Sequence, residues 1–228
     1  MSDRYNFSFA DARARSYCYA RGGRALVPGR DGAVDVEITG DGPFAVHGVE
    51  VGAVELEPLG DAIVLGSNQW REWVCRARGK TLRGATIDGF GTVALGPSGL
   101  GDTALRRSLW VCVDTELAFL VSAERRHARD GHGDEKLAVV VARGTPLEPS
   151  AIADPRLSTS YDADGQVLRA GLELWEGEDT GERERSRALR LAGEAVASGE
   201  LERTRVAFMV WRHAGREGIG CYAIERAS

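Results

Sequence analysis

Val167-Leu168-Arg169-Ala170-Gly171-Leu172-Glu173-Leu174-Trp175 reads as a half-buried strand. Ala170, Leu172 and Leu174 share one face, and Arg169 and Glu173 share the other. Side chains alternate sides along a strand, so this period of two marks a sheet with a core on one side. The stretch follows Asp162-Ala163-Asp164-Gly165, the composition of a tight turn.

The same rhythm recurs in both directions along the chain. Residues 16–19 form a short strand-like run, and 33–38 alternate with Val34, Val36 and Ile38 on one face. Residues 54–57 and 62–65 are expected to pair across Pro58-Leu59-Gly60-Asp61. Residues 73–78 end at the turn signal Gly79-Lys80. Residues 109–113 and 118–122 read as hairpin arms around Asp114-Thr115-Glu116, and 137–142 are a continuous apolar run of strand length. Residues 190–196 and 203–212 follow, and a last hairpin turns at 215–218 into 219–224.

Helix signals are scarce. Residues 103–109 predict a turn or two of helix. Residues 189–197 are rich in helix formers but lie between strand-like runs at hairpin spacing, so they are read as strand. The 29 glycines fall mostly at turns, which suits a chain that reverses direction often. No alternation of strands with long helices points to a parallel sheet. The reading is an all-β, antiparallel, lipocalin-like β-barrel or closely packed β-sandwich. It spans residues 1–228 as one domain, with room for two sub-layers at about 1–80 and 81–228.

Composition narrows the function. A chain of 228 residues with 43% hydrophobic and 28% charged residues is long and apolar enough to bury a core. The net charge is −5, and 29 basic residues are interspersed among 34 acidic ones, so no basic stripe offers a nucleic-acid track. The arginines 183, 185, 187 and 190 alternate with Glu182 and Glu184, as on a solvated strand face. No run approaches the ~18 apolar residues of a membrane helix, and the first residues carry no apolar signal region. The expected location is the cytoplasm, without membrane insertion. Cys18, Cys75, Cys112 and Cys221 are far apart in strand-like runs and are expected to be buried thiols.

Motifs for familiar chemistries are missing. Gly89-Phe90-Gly91 and Gly96-Pro97-Ser98-Gly99-Leu100-Gly101 lack the spacing of a nucleotide loop and read as a broad loop over a barrel mouth. No Gly-x-Ser-x-Gly elbow occurs. His127 and His132, with Asp130 and Asp134, sit in a polar loop without a helical frame, so a solvated loop is expected there and no metal. No cofactor is implied.

The aromatic residues are the better lead, because small-molecule pockets are apolar and aromatic with a few orienting polar groups. Trp73, Trp110, Tyr161, Trp175, Met209 and Trp211 lie in or beside strands and are the expected substrate-binding residues. Asp88 and Glu173 are carboxyls set in apolar strands, and they are the candidate catalytic residues. A carboxyl enclosed by apolar walls is pushed toward its neutral form and can donate a proton near neutral pH. Asp114 and Glu116 read instead as turn residues, and His213 as a rim residue.

From residue 87 onward the order of features resembles the C-terminal half of the hydroxyneurosporene synthase-like family of lipocalin-type proteins. The matching stretches are Ile87-Asp88-Gly89-Phe90-Gly91, Trp110 with Thr115-Glu116-Leu117-Ala118-Phe119, Tyr161 to Gly165 with Arg169 to Leu174, and Gly215 to Gly220 with Tyr222. Upstream, Gln69-Trp70-Arg71-Glu72-Trp73 is similar to the family's preceding strand. The resemblance implies a β-barrel around a hydrophobic terpenoid, polyene or polyketide, which it cyclises, isomerises or hydrates. The alternative is a non-catalytic carrier or sensor of a lipophilic metabolite; a homodimer fits either. Where the family carries a His-x-Trp-Gly-like stretch, this chain reads Thr92-Val93-Ala94-Leu95-Gly96-Pro97-Ser98. The polar residues are missing there, which leaves room for a shape-driven cyclase or a binding protein. Either reading predicts an interior cavity above ~300 Å³.

Overall fold

Alternation along the chain becomes strand throughout a computed structural model that describes residues 5–48, 51–65, 70–96, 100, 102–127, 135–178 and 185–227. The described chain is all-β and antiparallel, 74% strand and without helix. No helix among the described residues is long and apolar enough to cross a membrane.

Ten strands build the first sheet: β1 (Tyr5–Asp11), β2 (Ser16–Arg21), β3 (Arg24–Leu26), β4 (Val34–Asp35), β5 (Glu37–Thr39), β6 (Phe44–Gly48), β7 (Gly52–Pro58), β8 (Ile63–Leu65), β9 (Trp70–Lys80) and β10 (Thr86–Leu95). Their order is β4-β3-β2-β1-β10-β9-β7-β6-β5, and the sheet curls into a half-barrel. Nine strands build the second: β11 (Leu105–Asp114), β12 (Leu117–Arg125), β13 (Glu135–Arg143), β14 (Glu148–Ala151), β15 (Asp154–Tyr161), β16 (Val167–Glu178), β17 (Arg185–Leu201), β18 (Thr204–His213) and β19 (Arg216–Arg226). Their order, β14-β13-β12-β11-β19-β18-β17-β16-β15, nearly closes into a barrel. At the seam the Ile152 N–H donates to the Val139 carbonyl at 3.0 Å.

Three local expectations change. Residues 54–57 and 62–65 do not pair with each other; β7 and β8 lie end to end along β9, whose eleven residues are long enough to serve both. The predicted helical turn at 103–109 is the start of β11, because pairing with β12 and β19 on both sides captures its backbone. The division between sheets falls after Leu95, not near residue 80, because β10 inserts between β1 and β9. The strand reading of 189–197 matches β17.

Three apolar clusters follow from which faces the strands bury. Phe7, Phe9, Phe44 and Leu56 fill the half-barrel. Phe119, Leu172, Leu174, Met209, Trp211 and Tyr222 fill the barrel. Between the sheets lie Val74, Trp110, Leu120, Phe208 and Cys221. Strand β11 serves two clusters: Leu109, Val111 and Val113 point into the barrel, and Trp110 and Cys112 point at the first sheet. A strand buried on both faces reads as a continuous apolar run. Strand β16 has solvent on one side and keeps the alternation of its sequence.

The barrel interior also holds one polar network. The buried Arg107 guanidinium donates through Nε to Glu135 Oε1 at 2.9 Å, through Nη2 to Glu135 Oε2, and through Nη1 to the Tyr222 hydroxyl at 3.2 Å. Tyr222 in turn meets the Thr159 hydroxyl at 2.9 Å. Arg107→Lys keeps the charge but loses the planar fork, leaving acceptors unsatisfied at a cost of about 1–3 kcal/mol. Urea denaturation is expected to show that loss, and an unchanged midpoint would mean the network adds nothing.

Candidate functional site

The space between the two sheets is not fully packed. A cleft of about 70 Å³ lies there, lined by Ser8, Tyr19, Trp70, Glu72 and Thr92 from the first sheet and by Arg106, Trp110 and Cys221 from the second. The register explains the grouping. Tyr19 pairs Ser8, Ser8 pairs Thr92, and Glu72 pairs Ala94, so these side chains share one face of the sheet. Trp70 stands two residues from Glu72 and joins them. Its ring lies against Gly96, where an added Cβ would come within 2.4 Å of the indole. The cleft holds only a handful of water-sized guests, at about 10–15 Å³ each.

The groups in this cleft are held differently. Arg106 is buried, with its guanidinium 4.4 Å from the centre of the Trp70 ring. Its Nη2 donates to Glu225 Oε2 at 2.9 Å, and the other Glu225 oxygen pairs with Arg21 of the first sheet. Trp110 Nε1 donates to Ser8 Oγ at 2.6 Å, a second bond from sheet to sheet. Glu72 is partly buried, and burial pushes its carboxyl up to about 7, against a hydrogen bond from Thr92 and the nearby Arg106 charge. Burial pushes the Tyr19 hydroxyl up to about 12, so it keeps its proton at neutral pH. Burial also raises the Cys221 thiol, as it raises Cys18, Cys75 and Cys112, so none of these sulfurs is a ready nucleophile. Two buried donors at the cleft, Arg106 Nη1 and Trp70 Nε1, have no hydrogen-bond partner.

Of the residues expected to hold a ligand, Trp110 alone lines this cleft. Trp73 faces the opposite side, edge-on to Phe44 at 5.5 Å in the half-barrel. Met209 and Trp211 are wholly buried in the barrel core. Trp175 lies on β16 and is partly buried, and Tyr161 is 45% exposed. The barrel interior expected to enclose a guest is filled by its own side chains. Larger hollows of about 410 and 470 Å³ lie elsewhere, at the rim beside Arg15, Arg30 and Arg83 and over Ser158–Ser160 and Arg169–Gly171.

The two proposed carboxyls are not enclosed. Asp88 has a 58% exposed side chain and is bound by Arg76, with Nη2 2.6 Å from Oδ1. Glu173 is 44% exposed and pairs with Arg190 at 3.3 Å across β16 and β17. Each lies on a solvated face, where an ion pair contributes at most about 1 kcal/mol. Asp88→Asn and Glu173→Gln are therefore expected to change stability by less than about 1 kcal/mol and to leave any turnover within twofold. A larger loss of turnover from either would restore it as a candidate catalytic residue.

Glu72, Arg106 and Trp70 were not among the expected site residues. Their shared signal was faint: a carboxyl two positions from a tryptophan, and an Arg-Arg pair opening an apolar run. His127 is described, but His132, Asp130 and Asp134 lie outside the described residues, as do Pro97 to Gly99, Gly101 and Arg183 with its two flanking glutamates. Among the described residues no cluster of three His, Cys, Asp or Glu side chains is arranged to hold a metal ion. No protein-family model matches the chain, and no curated protein matches its sequence.

Proposed function

We propose that the chain grips one end of a small lipophilic molecule in the cleft between its sheets and moves a proton on it, as a cofactor-independent isomerase, cyclase or hydro-lyase does. The observation that carries this reading is the meeting of a titratable carboxyl, a fixed guanidinium and aromatic walls in one cleft. Glu72 can take a proton when ionised and give one when neutral, and a group that titrates near the working pH does both efficiently. The Thr92 hydroxyl beside that carboxyl favours its ionised form, opposing the effect of burial. Arg106 is held in place by Glu225 and is set to steady negative charge on a guest. Trp70, Trp110 and Tyr19 supply apolar faces that keep water sparse.

This reading keeps the reaction classes implied by the resemblance to the hydroxyneurosporene synthase-like family. It moves the site from the barrel interior to the space between sheets, and the acid from Asp88 or Glu173 to Glu72. A cleft of about 70 Å³ suits one end of a molecule, not a folded polyene. The test is incubation of wild type and Glu72→Gln with a lipophilic cell extract, followed by mass spectrometry. Retention of the same compounds by both proteins, with conversion by wild type alone, is expected. Equal conversion by both proteins would remove Glu72 from the reaction, and retention without conversion by either would favour a carrier.

A further inference from the structure

We infer that the group gripped in the cleft is a neutral carbonyl, whose oxygen accepts hydrogen bonds from Arg106 Nη1 and Trp70 Nε1 while Glu72 exchanges a proton on the adjacent carbon. The inference rests on the reading of the cleft given above and names its substrate class.

The two unpartnered donors point to an acceptor. A buried N–H without a partner costs about what a lost hydrogen bond costs, so such groups are rare and ask for an explanation. Here two occur side by side: both residues are buried, both line the cleft, and the guanidinium of one sits over the ring that carries the other's N–H. A single oxygen with two lone pairs satisfies both. Donors that reach one oxygen together also stabilise charge as it develops there.

The Glu72 carboxyl favours a neutral guest over an anion. Arg21 and Arg106 share Glu225. Glu124 is buried and is the backbone register partner of Arg106 across β11 and β12. Tyr19 and Cys221 stay neutral. A carboxylate guest would add a second negative charge beside the Glu72 carboxyl, and like charges so placed repel. A ketone, aldehyde or ester oxygen adds none.

The step balances without a co-reactant. The Glu72 carboxylate takes a proton from the carbon next to the carbonyl. The C–H electron pair becomes the C=C bond of an enolate, and the C=O π pair moves onto oxygen, where Arg106 and Trp70 donate to it. Glu72 then returns the proton to the same carbon or, in a β,γ-unsaturated ketone, to the γ carbon. The double bond moves, and nothing is oxidised or reduced.

Three matched probes test this: cyclohexanone, cyclohexanecarboxylate and cyclohexane, with binding read by saturation-transfer NMR on the whole chain. Cyclohexanone is expected to bind best, and wild type in deuterium oxide is expected to exchange its α-hydrogens at least tenfold faster than Glu72→Gln. Isomerisation of 3-cyclohexen-1-one to its conjugated isomer, read by ultraviolet absorbance, is expected to follow the same order. Trp70→Phe keeps the ring and removes the N–H, so it is expected to weaken cyclohexanone binding and leave cyclohexane binding unchanged. Arg106→Lys serves as the second variant, with Asp88→Asn as the control. Tighter binding of the carboxylate than of the ketone, or ketone binding without exchange, overturns the inference and leaves the cleft reading standing. Failure of all three probes to bind overturns both.

Discussion

Glu72→Gln is expected to silence the proposed proton transfer and to stabilise the fold at the same time. Loss of a general base or acid costs roughly 10²- to 10⁴-fold in rate, and glutamine keeps the shape of the side chain, so the loss is one of chemistry and not of packing. The stability change has the opposite sign. The Glu72 carboxyl titrates near 4.5 in an ordinary setting and at about 7 in the fold. Between those values the folded protein holds a proton that the unfolded chain releases, so wild-type stability falls as pH rises through that window. The full loss is about 3 kcal/mol once pH exceeds 7, at 1.36 kcal/mol per pKa unit. Glutamine does not titrate. The variant should match wild type at pH 4 and exceed it by up to about 3 kcal/mol at pH 8. Urea denaturation at pH 4, 6 and 8 measures the difference. Parallel curves at all three would show that Glu72 is ionised as readily in the fold as out of it. A carboxyl buried at such a cost fits a working site, where stability is commonly traded for function.

Trp211→Ala is the largest expected loss of stability. The indole is fully buried at the centre of the barrel and lies flat against Gly193, where an added Cβ would come within 2.7 Å of the ring. On its other side Gly220 leaves room for the indole N–H edge. Removing such a side chain costs about 3–5 kcal/mol from lost burial and the cavity left behind. That is a large share of the 5–15 kcal/mol that typically holds a domain together. A fall of several degrees or more in Tm is expected, with strand content retained by circular dichroism below the transition. Trp175→Ala removes a partly buried ring and should cost less than half as much. A Trp211→Ala effect below about 1 kcal/mol would mean the barrel interior has slack, which would reopen it as a ligand chamber.

The strands were legible because alternation is local: 167–175, 33–38 and 189–197 each carry their own pattern. Pairing was not. That β1 lies beside β10, or that β7 and β8 share β9, depends on contacts between residues tens of positions apart. The site was legible only through Trp110. Asp88 and Glu173 were chosen because they stand in apolar strands, but a strand has two faces, and theirs is the wet one. Glu72 faces inward only because a second sheet covers the outer face of β9. The same limit applied to Arg106 and Arg107, neighbours that a helix would have placed on adjoining flanks. In β11 they diverge, one to the cleft and one to the barrel network. The unbroken apolar run at 109–113 did carry the news of two-sided cover, and so marked where the sheets meet.

Strand β11 is a shared wall between two rooms. Leu109 and Val111 press on the barrel's filling, and Trp110 between them braces the cleft. A change of volume on the barrel side therefore tilts the same backbone that sets the reach of Trp110 and Arg106. Repacking the barrel becomes a way to widen or narrow the gap proposed to receive a guest.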